Sequence, residues 1–140
     1  LRERKKIELL VVDYLQLTWP DKSCISGSRC EQLSAMSRAL KRIACDCEIP
    51  VIAVSQLNRS PEQRPDRRPQ ISDMRDSGSI EDDADVVLLL HRDEYFNPTQ
   101  KNKNIAEVIV AKQRSGPTDT VLLHFDKTCL RFDSLERGGQ

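Results

Sequence analysis

The 140-residue sequence predicts an α/β fold: a parallel core sheet with antiparallel strands at its C-terminal end. Three observations carry that expectation. Short apolar runs at residues 7–12, 51–54, 86–90 and 105–111 are bounded by turn residues and read as strands. Between the first two, Leu33, Met36, Leu40, Ile43, Ala44 and Cys47 recur at three- and four-residue steps, the apolar face of a helix. Near the end, the Ser115-Gly116-Pro117 turn leads into an alternating stretch at 120–125, beside which 129–132 can pair back.

In chain order, residues 7–12 are apolar except for Glu8 and stop at Asp13, as expected of a strand buried on both faces. Residues 19–29 carry Pro, Asp, Ser and Gly and read as a loop. The helix follows, with Arg38, Lys41 and Arg42 away from its apolar face, and Pro50 stops it. Strand, helix and strand then make a βαβ unit with a right-handed crossover. Residues 58–74 hold three prolines and no period, so a long loop is expected, either functional or disordered. Residues 79–84 suit a short acidic helix, and 97–104 a polar loop. No repeat or low-complexity tract occurs. Residues 1–135 are expected as one domain and 136–140 as a flexible tail.

Composition narrows the function classes. Charged residues are 31%, hydrophobic ones 38% and aromatic ones only 4%, so the core must rest on aliphatic side chains. Net charge is zero, and any claim for nucleic acid must rest on local clusters. No apolar run reaches the length of a membrane span, and no signal peptide opens the chain. The chain starts at Leu1, not Met, and is read as a fragment or a processed piece. Its five cysteines, Cys24, Cys30, Cys45, Cys47 and Cys129, show no C-x-x-C spacing and read as reduced thiols; a zinc site would need His91 or His124, and neither has finger spacing.

In open α/β sheets, ligands sit beyond the carboxyl ends of the strands. Asp13, Ser55, Gln56, Arg92 and Lys112 are therefore the positions to weigh. Four apolar residues ending in Asp13 form a Walker B pattern, whose carboxylate holds Mg²⁺ through water; a plain strand-end cap is the alternative. Gln56 offers a donor and an acceptor, and by itself also reads as a polar strand cap. From Asn58 to Arg75, five arginines (Arg59, Arg64, Arg67, Arg68 and Arg75) face Glu62, Asp66 and Asp73, a local excess of two. Arginines on a loop suit phosphate contact, and a solvated, proline-stiffened loop is the competing reading. No aromatic residue is interleaved, so base stacking is poorly supported. Lys112 and Arg114, two apart at a strand end, could grip a phosphate or simply be exposed charge. None of the five glycines begins a G-x-x-x-x-G-K-[ST] loop, so any nucleotide site is half present.

Together, VVDYLQL, VIAVSQLNRSPEQRPDRRP, SDMRDSGSIEDDADVVLLLHRDE and VIVAKQRSGPT resemble the replicative helicases of the DnaB family, from about Ile7 to Phe132. The resemblance implies a partial RecA-like P-loop NTPase fold and an ATP-dependent DNA helicase using ATP and Mg²⁺. It implies a homo-hexameric ring around single-stranded DNA, with primase and helicase loader as partners of the full-length protein. It also implies a cytoplasmic, nucleoid-associated setting, with no membrane. Asp13 matches the Walker B aspartate. Gln56 matches the glutamine that senses nucleotide, and Arg59 through Pro69, including Arg64, Arg67 and Arg68, match a first DNA-facing loop. Arg75, Asp76 and Gly78 match a second loop, which holds the single-stranded DNA backbone and where the family often has glutamate in place of Asp76. Arg92, Lys112 and Arg114 match basic residues reaching nucleotide, the last two given in trans, with Arg114 as arginine finger. The P-loop and catalytic glutamate would precede Leu1, so the chain alone is expected to be inactive. The alternative is a non-catalytic ssDNA-binding or ring-assembly module. A recombinase or clock-type ATPase is disfavoured by the SQLNR and DSGSIEDDAD segments.

Overall fold

The computed structural model describes residues 7–17 and 28–135, and the side chains of all of these except 75–79. The expected 19–29 loop, apart from its last two residues, and the 136–140 tail lie outside the described residues. The chain divides into two compact units, Leu1–Asn58 with Met74–Ala84, and Arg59–Asp73 with Asp85–Gln140.

In the first unit, strand β1 (Leu10–Val12) pairs in parallel with β2 (Val51–Ala53), Leu10 opposite Val51 and Val12 opposite Ala53. Helix α1 (Arg29–Cys47) connects them. It starts where Ser28 and Glu31 close a capping box: the Ser28 hydroxyl accepts from the Glu31 N–H, and the Glu31 carboxylate accepts from the Ser28 N–H at 2.6 Å. It ends at Glu48, in the left-handed conformation with φ 51°, whose N–H returns to the Ala44 and Cys45 carbonyls. Leu33 and Ser37 turn inward from α1, which packs on α2 (Gly78–Asp83). Leu15, Met74 and Ile80 complete the buried set.

Burial of the first strand on both faces is not what the fold delivers. Leu9 and Val11 are 47% and 55% exposed, and Ile52 on the neighbouring strand and Val54 just after it are exposed too. Side chains alternate across a strand, so double burial needs a layer on each face. The described part of this unit supplies helices for one.

The second unit is an antiparallel meander of β3 (Val86–His91), β4 (Ile105–Gln113), β5 (Thr120–Asp126) and β6 (Arg131–Ser134), in that spatial order. The fold is thus α/β with a parallel pair and an antiparallel sheet toward the C-terminal end. β3 alternates strictly: Val87, Leu89 and His91 are buried, whereas Val86, Leu88 and Leu90 are exposed. The β4–β5 turn runs through Gly116, where an added Cβ would lie 2.8 Å from the Gln113 amide. The 58–74 stretch, expected as loop, contains 3-10 turns at Ser60–Gln63 and from Ile71 to Ser77. Among the described residues, no helix is long and apolar enough to cross a membrane.

Candidate nucleotide edge and arginine loop

Parallel pairing brings the carboxyl ends of β1 and β2 to one edge, so Asp13, Ser55 and Gln56 become neighbours without any tertiary coincidence. The strand ends are tied by backbone bonds, Val54 N–H to Val12 O and Leu15 N–H to Val54 O, both 2.9 Å. Gln16 adds the tie that the sequence reading missed. Its amide nitrogen donates to Ser55 Oγ at 3.0 Å and to the Gln56 carbonyl at 3.2 Å, and its oxygen accepts from the Gln56 N–H at 3.3 Å. Arg29 at the foot of α1 donates to the Gln16 carbonyl. An amide three residues after a strand-end acid was the available signal. Asp13 and the Gln56 side chain are left exposed at this edge.

One exposed carboxylate beside a hydroxyl and an amide oxygen is a hard, sparse donor set. It fits a Mg²⁺ ion that keeps most of its water, and it could not enclose a metal by itself. Accordingly, among the described residues no group of three or more His, Cys, Asp or Glu forms a metal cage.

In the second unit the expected phosphate-facing residues have separate fates. Arg59 is exposed just before the first 3-10 turn and makes no capping bond. Arg64 forks onto the buried Asp73 carboxylate, Nη1 to Oδ2 at 2.8 Å and Nη2 to Oδ1 at 2.5 Å. That guanidinium holds the Asp73 carboxyl below its usual range, against the opposing effect of burial, with help from the Gln70 N–H. Arg67, at φ 47°, lays its guanidinium 5.0 Å from the Phe96 ring centre. Arg68 bonds to Glu107 of β4 and, at 3.1 Å, to Thr120 of β5. The backbone of Arg75, Asp76 and Gly78 spans the second 3-10 turn and the start of α2, and their side chains are outside the description.

Arg92 follows β3 and stacks 4.3 Å over Phe125, with Glu94 at 3.7 Å. Glu94 also pairs with Lys127 at 2.7 Å, and this is the main reason its carboxyl is held below its usual range. Lys112 lies inside β4, which runs two residues beyond the predicted end, and is half-buried. Arg114 is the first residue after β4: its N–H bonds to the Asp85 carbonyl at 3.0 Å and its guanidinium to the Asp85 carboxylate at 3.1 Å. The Arg114 side chain is 51% exposed.

This order of strand-end acid, strand-end Ser-Gln, arginine loop and Lys-x-Arg hairpin is matched over residues 1–134 by the DnaB-like helicase C-terminal domain. The chain belongs to that family. It is 50% identical to the replicative DNA helicase DnaB of Geobacillus stearothermophilus, over 98% of this chain and 30% of the relative. It is 48% identical to the replicative DNA helicase DnaC of Bacillus subtilis (strain 168), with the same coverage. Among solved structures, an ATPase domain aligns with TM-score 0.90 and 45% identity, over 96% of this chain and 49% of that domain. A DnaB-like replicative helicase studied for its interactions with primase aligns with TM-score 0.89 and 45% identity, over 96% and 34%. The fold is therefore the RecA-like one of DnaB-family ATPase domains. The chain spans less than a third of the length of these curated relatives.

Proposed function

We propose that the chain is the distal part of an ATP-driven replicative helicase motor that acts as a ring hexamer on single-stranded DNA. The observation that carries this reading is the β1–β2 edge. Asp13, Ser55 and Gln56 lie side by side there, and Gln16 fixes the two strand ends to each other. Such an edge has half of what phosphoryl transfer needs: a carboxylate for water-bound Mg²⁺ and an amide able to respond to a terminal phosphate. The phosphate-cradling loop and its lysine would come from sequence outside this chain. Gln56 also leads directly into the arginine loop, a short covalent path from nucleotide to DNA. Arg59, Arg67, Arg75, Asp76 and Gly78 are proposed to meet the DNA backbone, and Arg92, Lys112 and Arg114 to serve nucleotide. Primase and a loader are proposed as partners of the complete protein; one solved relative was studied with primase in view.

In a complete helicase carrying this chain, Asp13→Asn should lower ATP turnover on the order of 10²-fold or more, because the carboxylate that would hold the hydrated Mg²⁺ is lost. Nucleotide binding should weaken far less. Turnover within threefold of the parent would refute the nucleotide assignment of this edge. The 140-residue chain by itself should show no ATPase above background, and turnover abolished by Asp13→Asn in that preparation would refute the half-site reading.

A further inference from the structure

The arginines of the 59–73 loop are not equivalent. Arg64 already holds a carboxylate on its fork, both nitrogens on both oxygens, the geometry in which a guanidinium is most completely satisfied. Its Nη1 also donates to the Arg68 carbonyl at 2.8 Å. Asp73 is 2% exposed and accepts a further bond from the Gln70 N–H at 2.7 Å. For Arg64 to reach a phosphate it would have to abandon a buried carboxylate, and an uncompensated buried charge is among the most destabilising things a fold can contain. Arg68 is committed in the same way, with its two terminal nitrogens on Glu107 of β4 and Thr120 of β5. Arg59 stands outside this arrangement, exposed and with no side-chain partner among the described residues.

We infer that Arg64, Asp73 and Arg68 form an internal clasp that sets the shape of the loop on the β4–β5 sheet, so that these two arginines position the loop while Arg59 is left for phosphate. The clasp joins residues nine apart in sequence, Arg64 and Asp73, and Arg68 ties the middle of the segment to two strands. In this arrangement the loop is ordered before any ligand arrives. That removes an ordering cost from binding and keeps Arg59 at a fixed place. The inference deepens the proposed DNA role of this loop and rests on it for the DNA half of the test only.

The decisive comparison is between two substitutions of opposite charge in a complete helicase carrying this chain. Arg64→Ala and Asp73→Ala should both speed hydrogen exchange of the amides at 64–73 without DNA, and both should weaken oligo-dT binding, on the order of tenfold. Removing a negative charge near a polyanion should otherwise tighten binding, so loss of affinity in Asp73→Ala identifies the clasp. Unchanged or tighter binding in Asp73→Ala, with loss in Arg64→Ala, would make Arg64 a phosphate contact and overturn the inference. Unchanged exchange in both would overturn it as well. Because either single variant can unfold more than the loop, Arg64→Met combined with Asp73→Leu provides the control, an apolar pair of similar bulk. Across the variants at Arg64 and Asp73, affinity should follow loop protection, and any of these with a protected loop and lost affinity sinks the inference. Arg59→Ala should leave exchange unchanged and reduce the salt slope of binding by about 0.7, one phosphate on a single strand. A slope unchanged in Arg59→Ala would count against the DNA reading and leave the clasp, read by exchange alone, standing.

Discussion

At the scale of single residues, what matters is the company each charge keeps. Asp93 shows it. Its carboxyl is held below the ordinary carboxylate range chiefly by the Asn97 side-chain amide, at 3.1 Å, and then by Asn102, at 2.6 Å. Asn102 also donates to the Asn97 carbonyl at 2.8 Å and accepts from the Thr99 N–H at 2.8 Å, so one carboxylate organises the 93–102 loop. A folded value below the unfolded one means that Asp93 contributes stability at neutral pH, where it is ionised in both states. That contribution is lost as pH falls below about 4, through the folded value, because the unfolded chain then takes up the proton more readily. The main partners are neutral amides, so salt should screen the contribution little. The expected outcome is that Asp93→Ala lowers stability by about 1 kcal/mol at pH 7 and has a smaller effect at pH 3. The measurement is denaturant unfolding at both pH values, in low and high salt. A loss that disappears in high salt would show that charge attraction, not these hydrogen bonds, holds the loop.

At the scale of elements, the capping box illustrates how local chemistry decides a boundary. Ser28→Ala removes the acceptor for the Glu31 N–H at the first turn of α1, and should cost about 1 kcal/mol. Exchange should rise at residues 29–32 and remain unchanged near Cys47, where the left-handed Glu48 ends the helix independently. Fraying along all of α1 would mean that the cap nucleates the helix. This boundary is legible in the sequence as Ser-x-x-Glu, whereas the apolar period of the helix begins only at Leu33. Periodicity served well for α1, β2 and β3, because the repeat of an apolar face is a local property. It could not show that β4 returns antiparallel on β3, since an apolar run carries no direction. Nor could it show where the arginines of the loop end up. Arg68 meets Thr120 across 52 residues and Glu107 across 39, and only the folded sheet brings those partners near. Gln16 was overlooked for a related reason: its role exists only once two strand ends are adjacent.

At the scale of the whole molecule, Arg114 links this chain to the assembly proposed for it. Its backbone is pinned to Asp85 at the start of β3, and its guanidinium rests on the Asp85 carboxylate at a half-exposed position. An exposed ion pair of this kind is worth about 0–1 kcal/mol and yields readily to a stronger anion. A phosphoryl group would be such an anion, and the turn after Gln113 places this side chain at the head of a hairpin. If the arginine acts on a neighbouring subunit's nucleotide, hydrolysis depends on ring assembly, with an effect on the order of 10³-fold in turnover. Asp85 then holds the side chain ready, and its removal should alter turnover only modestly. The test needs a complete helicase carrying this chain and two inactive variants, Arg114→Ala and one lacking the phosphate-loop lysine. Each alone should be nearly without ATPase. Mixed in one ring, they should recover activity, because some interfaces then join an intact phosphate loop to an intact arginine. The recovery should rise and fall with mixing ratio. Rings shown to contain both variants, yet inactive at every ratio, would place Arg114 in its own subunit's site or outside catalysis altogether.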